Sequence, residues 1–176
     1  MSAWRTRGLR GSTLEELVNR TNEQYREQGL ALVQKVPTPI TPINIDKETR
    51  QITLAYFDQK STVDYIGVVQ GIPVCFDAKE CKTDTFPLAN VHEHQVRFMR
   101  EFEKQQGVAF LLIWYSSRDI CYYMRLGELE GFWQRAEQGG RKRIHFDELD
   151  PDFFLQNKGI VIPYLEGIQQ DLLKRP

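Results

Sequence analysis

One stretch of the sequence decides the predicted fold, and it reads Thr62-Val-Asp-Tyr-Ile-Gly-Val-Val-Gln-Gly-Ile-Pro-Val-Cys-Phe-Asp-Ala-Lys79. Two runs rich in β-branched and aromatic residues flank Gln70-Gly71, a pattern that predicts two antiparallel strands joined by a tight turn. With Gln70 and Gly71 as the two turn residues, Asp64 lies directly opposite Asp77 across the hairpin. A longer loop would shift this register.

The residues Asp64, Asp77 and Lys79 form a constellation that suits a divalent cation. Side chains alternate between the two faces of a strand, so Asp77 and Lys79 point the same way, as do Thr62 and Asp64. Two carboxylates that face each other destabilise a sheet unless a positive charge compensates. Such a pair suits Mg²⁺, which keeps several waters, and the lysine then fits beside a developing phosphoryl charge. The structural alternative is that Asp64 caps a turn while Lys79 pairs with Asp77 on a solvent-facing surface.

The composition excludes several classes of protein. With 176 residues, of which 41% are hydrophobic and 27% charged, the chain is predicted to form a single domain over residues 1–176. No apolar run is long enough to span a bilayer, and the first residues lack the apolar core of a signal peptide, so no membrane partner is expected. Cys75, Cys81 and Cys121 form no C-x-x-C pair, which argues against a disulfide scaffold and predicts a cytoplasmic protein.

The rest of the chain predicts an α/β domain with a mixed central β-sheet flanked by helices. Three prolines in Pro37-Thr-Pro-Ile-Thr-Pro42 predict an extended segment that projects from the body. A small hairpin over 44–57 follows it, and the two together form a predicted stalk at residues 36–57. Helical periodicity predicts helices at 12–29, 90–105, 127–138 and 164–174. Apolar runs predict further strands at 30–36, 108–115 and 120–125.

The net charge of −1 does not by itself point to a nucleic-acid partner, but the sequence contains two basic runs. The first lies in residues 1–10, a basic N-terminus that is expected to be flexible, and the second lies late in the chain. Both are open to two interpretations, which are contact with a phosphate backbone and an ordinary solvated surface. The residues concerned are Arg5, Arg7, Arg10, Arg141, Lys142 and Arg143.

A carboxylate, a strand turn and then (D/E)-x-K is the arrangement of the PD-(D/E)xK nucleases, and further pieces of the sequence narrow this resemblance. Over most of its length the chain resembles the RecU-type Holliday junction resolvases of Gram-positive bacteria. Eight matching pieces occur in order, which makes a chance match untenable. They are Arg10-Gly-Ser-Thr-Leu-Glu15, Lys35-Val-Pro-Thr-Pro39, Ala55-Tyr-Phe57, Ser61-Thr-Val-Asp-Tyr65, Phe76-Asp-Ala-Lys-Glu80, Phe86-Pro-Leu88, His92-Glu-His-Gln95 and Gly139-Gly-Arg-Lys142.

The resemblance implies a restriction-endonuclease-like fold and a homodimeric, Mg²⁺-dependent endonuclease that cuts two strands of a four-way DNA junction symmetrically. Lys79 matches the lysine that stabilises the transition state, and Glu15 matches an acidic residue of the first helix near the site. The metal-site residues of the family match Thr62, Asp64, Asp77 and Gln95, with Mn²⁺ as an alternative ion. Lys35 joins the two basic runs as the expected DNA-binding set.

The resemblance also extends to the stalk and to partners. The proline-rich segment matches the family's stalk, which enters the junction centre, and a RecA-type recombinase is a further candidate partner. The sequence departs from the family where Asp77 replaces the usual Glu and Val63 replaces a Thr. In addition, the loop between Lys79 and Phe86 looks one residue short, and the basic N-terminal extension is abbreviated.

Two other functions stay open at this point. The first is a nuclease of the same fold that acts on other branched DNA or on duplex DNA, because the metal-site residues do not set the substrate. The second is a non-catalytic junction-binding protein that modulates a recombinase, because Asp77 departs from the family pattern. A requirement for a divalent metal in cleavage separates the two classes.

Overall fold

The computed structural model describes residues 13–57, 62–156 and 160–175, which form ten strands and four α-helices. The strands are β1 (Leu32–Lys35), β2 (Ile40–Ile45), β3 (Ile52–Phe57), β4 (Tyr65–Val69), β5 (Ile72–Cys81), β6 (Thr85–Pro87), β7 (Val108–Tyr115), β8 (Ile120–Arg125), β9 (Arg143–His145) and β10 (Phe154–Leu155). The helices are α1 (Thr13–Glu27), α2 (Glu93–Lys104), α3 (Leu126–Glu137) and α4 (Tyr164–Lys174). None of these four helices has the length and apolar content needed to cross a membrane.

Six of the strands form a mixed central sheet in the order β1-β4-β5-β7-β8-β10. Strands β5 and β7 pair in parallel, whereas the other neighbours in this sheet pair antiparallel. A parallel pair needs a crossover connection, and α2 lies in the connection from β5 to β7. The predicted α/β fold with a mixed sheet flanked by helices is confirmed.

The β4–β5 hairpin has the predicted register. Its ladder runs from Tyr65 opposite Phe76 to Val69 opposite Ile72, which leaves Gln70 and Gly71 as the turn. Both turn residues have positive φ, 46° for Gln70 and 90° for Gly71, as a two-residue type I′ turn requires. At the open end of the hairpin, the residues just beyond the Tyr65–Phe76 pair are therefore Asp64 and Asp77.

An aromatic cluster packs α1 and α4 against one face of the sheet. Phe76 stacks on Tyr65 and on Phe110, with ring centroids 4.8 Å and 4.7 Å apart. Tyr164 of α4 meets Tyr25 of α1 edge-on at 5.0 Å and also contacts Phe76 at 5.2 Å. Rings of this size dominate the apolar area that a core removes from water, so this face carries much of the stability.

The opposite face of the sheet is covered by α2 and α3. Helix α2 contacts β5 and β7, and α3 contacts β7, β8 and α2. Val96 and Met99 of α2 and Leu129 of α3 are buried in this layer. Because side chains alternate along a strand, Asp77 points away from its neighbour Phe76 and toward α2.

The predicted stalk region contains a separate two-stranded sheet of β2 and β3. Strand β2 begins at Ile40 and not at 44, so the hairpin includes part of the proline-rich segment, and Pro42 pairs with Ala55. A two-stranded ribbon leaves one edge of each strand unpaired, which accommodates a residue without an N–H. The register shifts on both sides of Asn44, and the apolar side chains are exposed, with Phe57 at 75%.

Three short strands have no clear signal in the sequence. Strands β6, β9 and β10 have only two or three residues each, which is too few for an alternating pattern to be recognised. Strand β6 pairs antiparallel with β9, with Pro87 opposite Arg143. This pairing brings the second basic run beside the segment that leads into α2.

Gly67 of β4 is a position where the sheet has no room for a side chain. A Cβ there would lie 2.2 Å from the carbonyl oxygen of Leu32 and 2.6 Å from Val33 Cα. We expect Gly67→Ala to lower the free energy of unfolding by about 1–3 kcal/mol, because β1 must move away. Urea denaturation measures this change.

Gly131→Ala is the matched control, because a Cβ at Gly131 in α3 meets nothing within 4 Å. We expect this second variant to raise stability by about 0.4–1 kcal/mol through the lower entropy of its unfolded chain. Equal stabilities of the two variants would contradict the close pairing of β1 with β4.

Candidate active site

Asp64 and Asp77 lie side by side at the open end of the β4–β5 hairpin. The backbone N–H of Asp64 donates to Asp77 Oδ1 at 2.9 Å, and the backbone N–H of Ala78 donates to Asp64 Oδ2 at 3.0 Å. The N–H of Val36 donates to the Asp64 carbonyl oxygen at 2.8 Å, so the β1 pairing continues as far as this residue. The predicted juxtaposition of the two carboxylates is confirmed.

Lys79 and Gln95 converge on the same oxygen of Asp77. Lys79 Nζ lies 2.6 Å from Asp77 Oδ2, and Gln95 Nε2 donates to that oxygen at 2.7 Å. Asp77 is fully buried, whereas the Lys79 side chain is 20% exposed. The ion pair of the structural alternative thus exists, but its carboxylate is in the interior and not on a solvent-facing surface.

The electrostatics of this pair reflect burial and like charge. Burial raises the pKa of Asp64, the charge of Asp77 raises it further, and the pKa reaches about 6. The Ala78 N–H and the Lys79 ammonium act in the opposite direction but do not cancel these effects. Negative charge on Asp64 is therefore disfavoured both by its poorly solvated environment and by the neighbouring Asp77, and a bound cation would offset this cost.

The first turn of α2 orients Gln95. Its Oε1 accepts the backbone N–H of His92 at 3.1 Å, a capping contact at the third helical residue, and this turns Nε2 toward Asp77. A metal-ligand role for Gln95 requires the amide oxygen to face the carboxylates. In that state the Gln95 amide would be turned over, and Oε1 would no longer accept the His92 N–H.

Glu15 and Thr62 do not hydrogen-bond to either aspartate within the part of the chain that the structure describes. The Glu15 carboxylate pairs with Lys35 at 2.6 Å. The Tyr65 hydroxyl donates to Asn19 Oδ1 at 3.1 Å and lies 3.5 Å from the Glu15 carbonyl oxygen, which ties α1 to the strand that follows Asp64. Thr62 is half-buried, two residues before Asp64.

The second basic run borders the helix that reaches the aspartates. The carbonyl oxygen of Lys142 accepts the N–H of Leu88 at 3.1 Å, and Leu88 begins the short 3₁₀ turn Leu88–Asn90 that precedes α2. Arg141, Lys142 and Arg143 are all exposed. The first basic run, with Arg5, Arg7 and Arg10, lies outside the described residues.

Comparison with known proteins identifies the family. A family model described as Recombination protein U matches residues 9–170. The chain belongs to the RecU family. The predicted resemblance to RecU-type resolvases is thereby confirmed, and the match covers the hairpin, α2 and the second basic run.

Individual RecU relatives are similar over most of the chain. Holliday junction resolvase RecU of Bacillus pumilus (strain SAFR-032) is 44% identical over 80% of this chain and 69% of the relative. The protein of the same name from Bacillus subtilis (strain 168) is 38% identical over 92% of this chain and 80% of its own length. Among solved structures, Archaeoglobus fulgidus Hjc, a Holliday junction resolvase from an archaeal hyperthermophile, aligns with a TM-score of 0.38 and 9% identity over 64% of this chain and 74% of that one.

The donor set of this RecU-family site fits a hard divalent cation. No group of three or more His, Cys, Asp and Glu side chains suited to a metal occurs within residues 13–57, 62–156 and 160–175. The site instead offers the carboxylates of Asp64 and Asp77, and burial, together with the charge of Asp77, raises the pKa of Asp64. Two carboxylates suit an ion that keeps several waters, such as Mg²⁺, and do not satisfy tetrahedral zinc.

Sequence reasoning missed the groups that support the aspartates in this RecU-family chain. Two of them are the backbone N–H groups of Asp64 and Ala78, which carry no sequence signal because every residue except proline has one. A strand pattern also assigns Tyr65 only to the core. Its hydroxyl nevertheless reaches α1.

Asp64→Asn tests the like-charge contact without a metal. The change removes one charge and keeps an oxygen that accepts the Ala78 N–H. In chelating buffer at pH 8 we expect the variant to be more stable than the wild type by up to about 1 kcal/mol. Because the pKa of about 6 exceeds the ordinary 3.8, the wild type loses stability as pH rises between these values, so the advantage of the variant shrinks below pH 6.

Differential scanning calorimetry at pH 4.5 and pH 8 measures this difference. Asp77→Asn is the control within the same site, and we expect it to be destabilised because it weakens the pair with Lys79. A Tm for Asp64→Asn below that of the wild type at pH 8 would show that the two carboxylates do not repel each other.

Proposed function

We propose that this chain is an endodeoxyribonuclease that resolves four-way (Holliday) DNA junctions by paired symmetric nicks, with Mg²⁺ as cofactor, in recombination and repair. The observation that carries this proposal is the Asp64–Asp77–Lys79 constellation on one hairpin of a RecU-family chain. Relatives 44% and 38% identical bear the name Holliday junction resolvase, which supports the junction as substrate.

Each residue of the site has a proposed task in phosphodiester hydrolysis. Asp64 and Asp77 would hold Mg²⁺, with Thr62 and Gln95 as the further ligands. When bound, the ion would act as a Lewis acid that polarises the phosphodiester and activates the attacking water. Lys79, at the boundary between the buried pair and solvent, stabilises the negative charge that develops on the phosphoryl group. Glu15 acts at the margin of the site, where Lys35 holds its carboxylate.

Two surfaces are proposed to contact the DNA. Lys35 and the basic runs neutralise phosphates along the arms of the junction. The stalk at 36–57 enters the junction centre, where its exposed side chains, Tyr56 and Phe57 among them, meet unstacked bases. These surfaces would select the branched substrate, since the metal ligands would hold only the ion that acts on the reacting phosphodiester.

The active assembly is proposed to be a homodimer, because symmetric cuts in two strands need two equivalent sites. Residues 1–176 act as a single nuclease domain, in the cytoplasm, with a RecA-type recombinase as a candidate partner. In this arrangement each protomer contributes one hairpin with its aspartates.

The first test is cleavage of a labelled four-way junction beside a duplex of the same sequence. We expect symmetric nicks in the junction alone, with Mg²⁺ or Mn²⁺ and not with chelator. Loss of a residue that supports a metal ligand costs about 10–100-fold in activity. Asp64→Asn changes a proposed ligand itself and should lower the cleavage rate by more than this. Lys79→Ala should lower it by about 100–1,000-fold, because a charge-stabilising donor is lost.

Asp84→Asn is the matched control, an exposed carboxylate paired with Arg118 at 2.7 Å, and it should cut at the wild-type rate. Equal cutting of junction and duplex would assign the chain to nucleases of other DNA substrates. Junction binding without any cutting would assign it to the non-catalytic modulators, and the catalytic roles would then be wrong.

Mixed dimers test the paired nicks. A dimer with one wild-type and one Asp64→Asn protomer, isolated through two different affinity tags, retains a single intact site. We expect it to nick one strand of each junction and to accumulate that nicked product on a denaturing gel. Two cuts at the wild-type rate from such a dimer would contradict one site per strand, and a monomer in sedimentation would contradict the assembly itself.

A further inference from the structure

Residues 139–143, here named the basic loop, carry three exposed cationic side chains, those of Arg141, Lys142 and Arg143. None of these three forms an ion pair with a carboxylate in the described portion of the chain. Arg100 and Arg118, by contrast, pair with Glu130 and Asp84. Arg141 does lie close enough to Glu148 for its charge to help lower the pKa of that carboxyl. Three exposed cations without a direct ion pair are suited to an anionic partner, and the phosphate backbone of DNA is the partner of the proposed function.

The backbone of the basic loop is closely held against the end of α3. Gly139 has φ of 85°, a conformation that favours glycine, and its N–H donates to the Ala136 carbonyl oxygen at 3.1 Å. The Gly140 N–H donates to the Arg135 carbonyl oxygen at 2.9 Å. A Cβ at Gly140 would lie 2.7 Å from that oxygen, so the chain leaves the C-terminal end of α3 at a position where only glycine fits.

The side chain of Arg135 closes the loop from the other end. One guanidinium nitrogen donates to the Arg143 carbonyl oxygen at 2.9 Å, and the other pairs with Glu148 Oε1. Glu148 Oε2 accepts the N–H of His145 at 2.8 Å, and the Phe132 ring lies 4.9 Å from the Arg135 guanidinium carbon. Arg135 and Glu148 together therefore connect α3, the end of the basic loop and the turn after β9.

The held loop is also joined to the active site. The Lys142 carbonyl oxygen accepts the Leu88 N–H, the turn at 88–90 leads into α2, and Gln95 of α2 contacts Asp77. The position of the basic loop is thus coupled through one short segment to the reacting centre. Loop cations that are already in place lose less conformational entropy when they bind than cations on a mobile loop.

We propose that Arg135 and Glu148 are positioning residues that hold the basic loop in the shape that contacts the phosphates of a junction arm. This inference rests on the proposed function, because it takes DNA as the ligand. Neither residue needs to touch the DNA. Their effect passes through the backbone of residues 139–143.

Glu148→Ala separates positioning from charge by the sign of its effect. The change removes a negative charge near the DNA, so electrostatics alone predicts tighter binding. Loss of the Arg135 contact instead frees the loop, and we expect junction binding about 3- to 10-fold weaker and a salt dependence reduced by about one phosphate contact. Fluorescence anisotropy with a synthetic four-way junction in chelator, over a series of salt concentrations, measures both quantities.

Glu130→Ala is the matched control, because Glu130 and Glu148 have side chains 29% and 27% exposed and each pairs with one arginine. We expect it to bind as tightly as the wild type. Glu148→Gln removes the same charge as Glu148→Ala but keeps one side-chain oxygen, which can accept from Arg135 or from the His145 N–H but not from both, and it should recover part of the lost affinity. Arg135→Lys keeps the positive charge but loses the guanidinium nitrogen that donates to the Arg143 carbonyl oxygen, so it should weaken junction binding. This variant tests the proposal independently if Glu148→Ala does not fold.

The possible results separate this inference from the proposed function. Glu148→Ala binding as tightly as Glu130→Ala, with an unchanged salt dependence, would overturn the positioning role. Wild-type protein that binds junction and duplex equally would defeat the proposed junction selectivity, whatever the variants do.

Discussion

The contact between Asp64 and Asp77 is the constraint on which the rest of the site depends. A two-residue turn at Gln70-Gly71 sets the register of β4 and β5, and that register places one carboxylate beside the other. The resulting repulsion is unfavourable, because Asp77 is fully buried and water cannot screen it. A fold that keeps this pair needs compensating groups nearby, and the surrounding elements supply them.

Compensation comes from one cation, one amide and two backbone donors. Lys79 reaches Asp77 because it lies one pleat further along the same strand face, whereas Gln95 arrives from a helix on another part of the chain. The far end of that helix is anchored as well, since Glu103 accepts from Arg175 at 2.6 Å after α4. Helix α2 is thus held at both ends, which limits how far Gln95 can shift.

The surfaces beside the aspartates differ in chemistry. The β2–β3 hairpin presents exposed apolar and aromatic side chains, whereas the basic loop presents cations that Arg135 and Glu148 hold in place. Under the proposed function this division matches the two components of a branched DNA, which are unstacked bases at the centre and phosphates along the arms. In that proposal the chemistry of cleavage and the choice of substrate reside in different elements.

The β4–β5 register and the proximity of Asp64, Asp77 and Lys79 could be predicted from the sequence, because strand alternation and a two-residue turn are local properties. The mixed sheet and the family could be predicted from it as well. The folded structure was needed to establish that Gln95 donates to Asp77, that Glu15 pairs with Lys35, and that the β2–β3 hairpin begins at Ile40. Short strands such as β6 and β9, and an ion pair between α3 and a distant turn, have no periodic signal. Contacts of this kind form between segments far apart in the chain, and packing of the whole molecule sets their geometry.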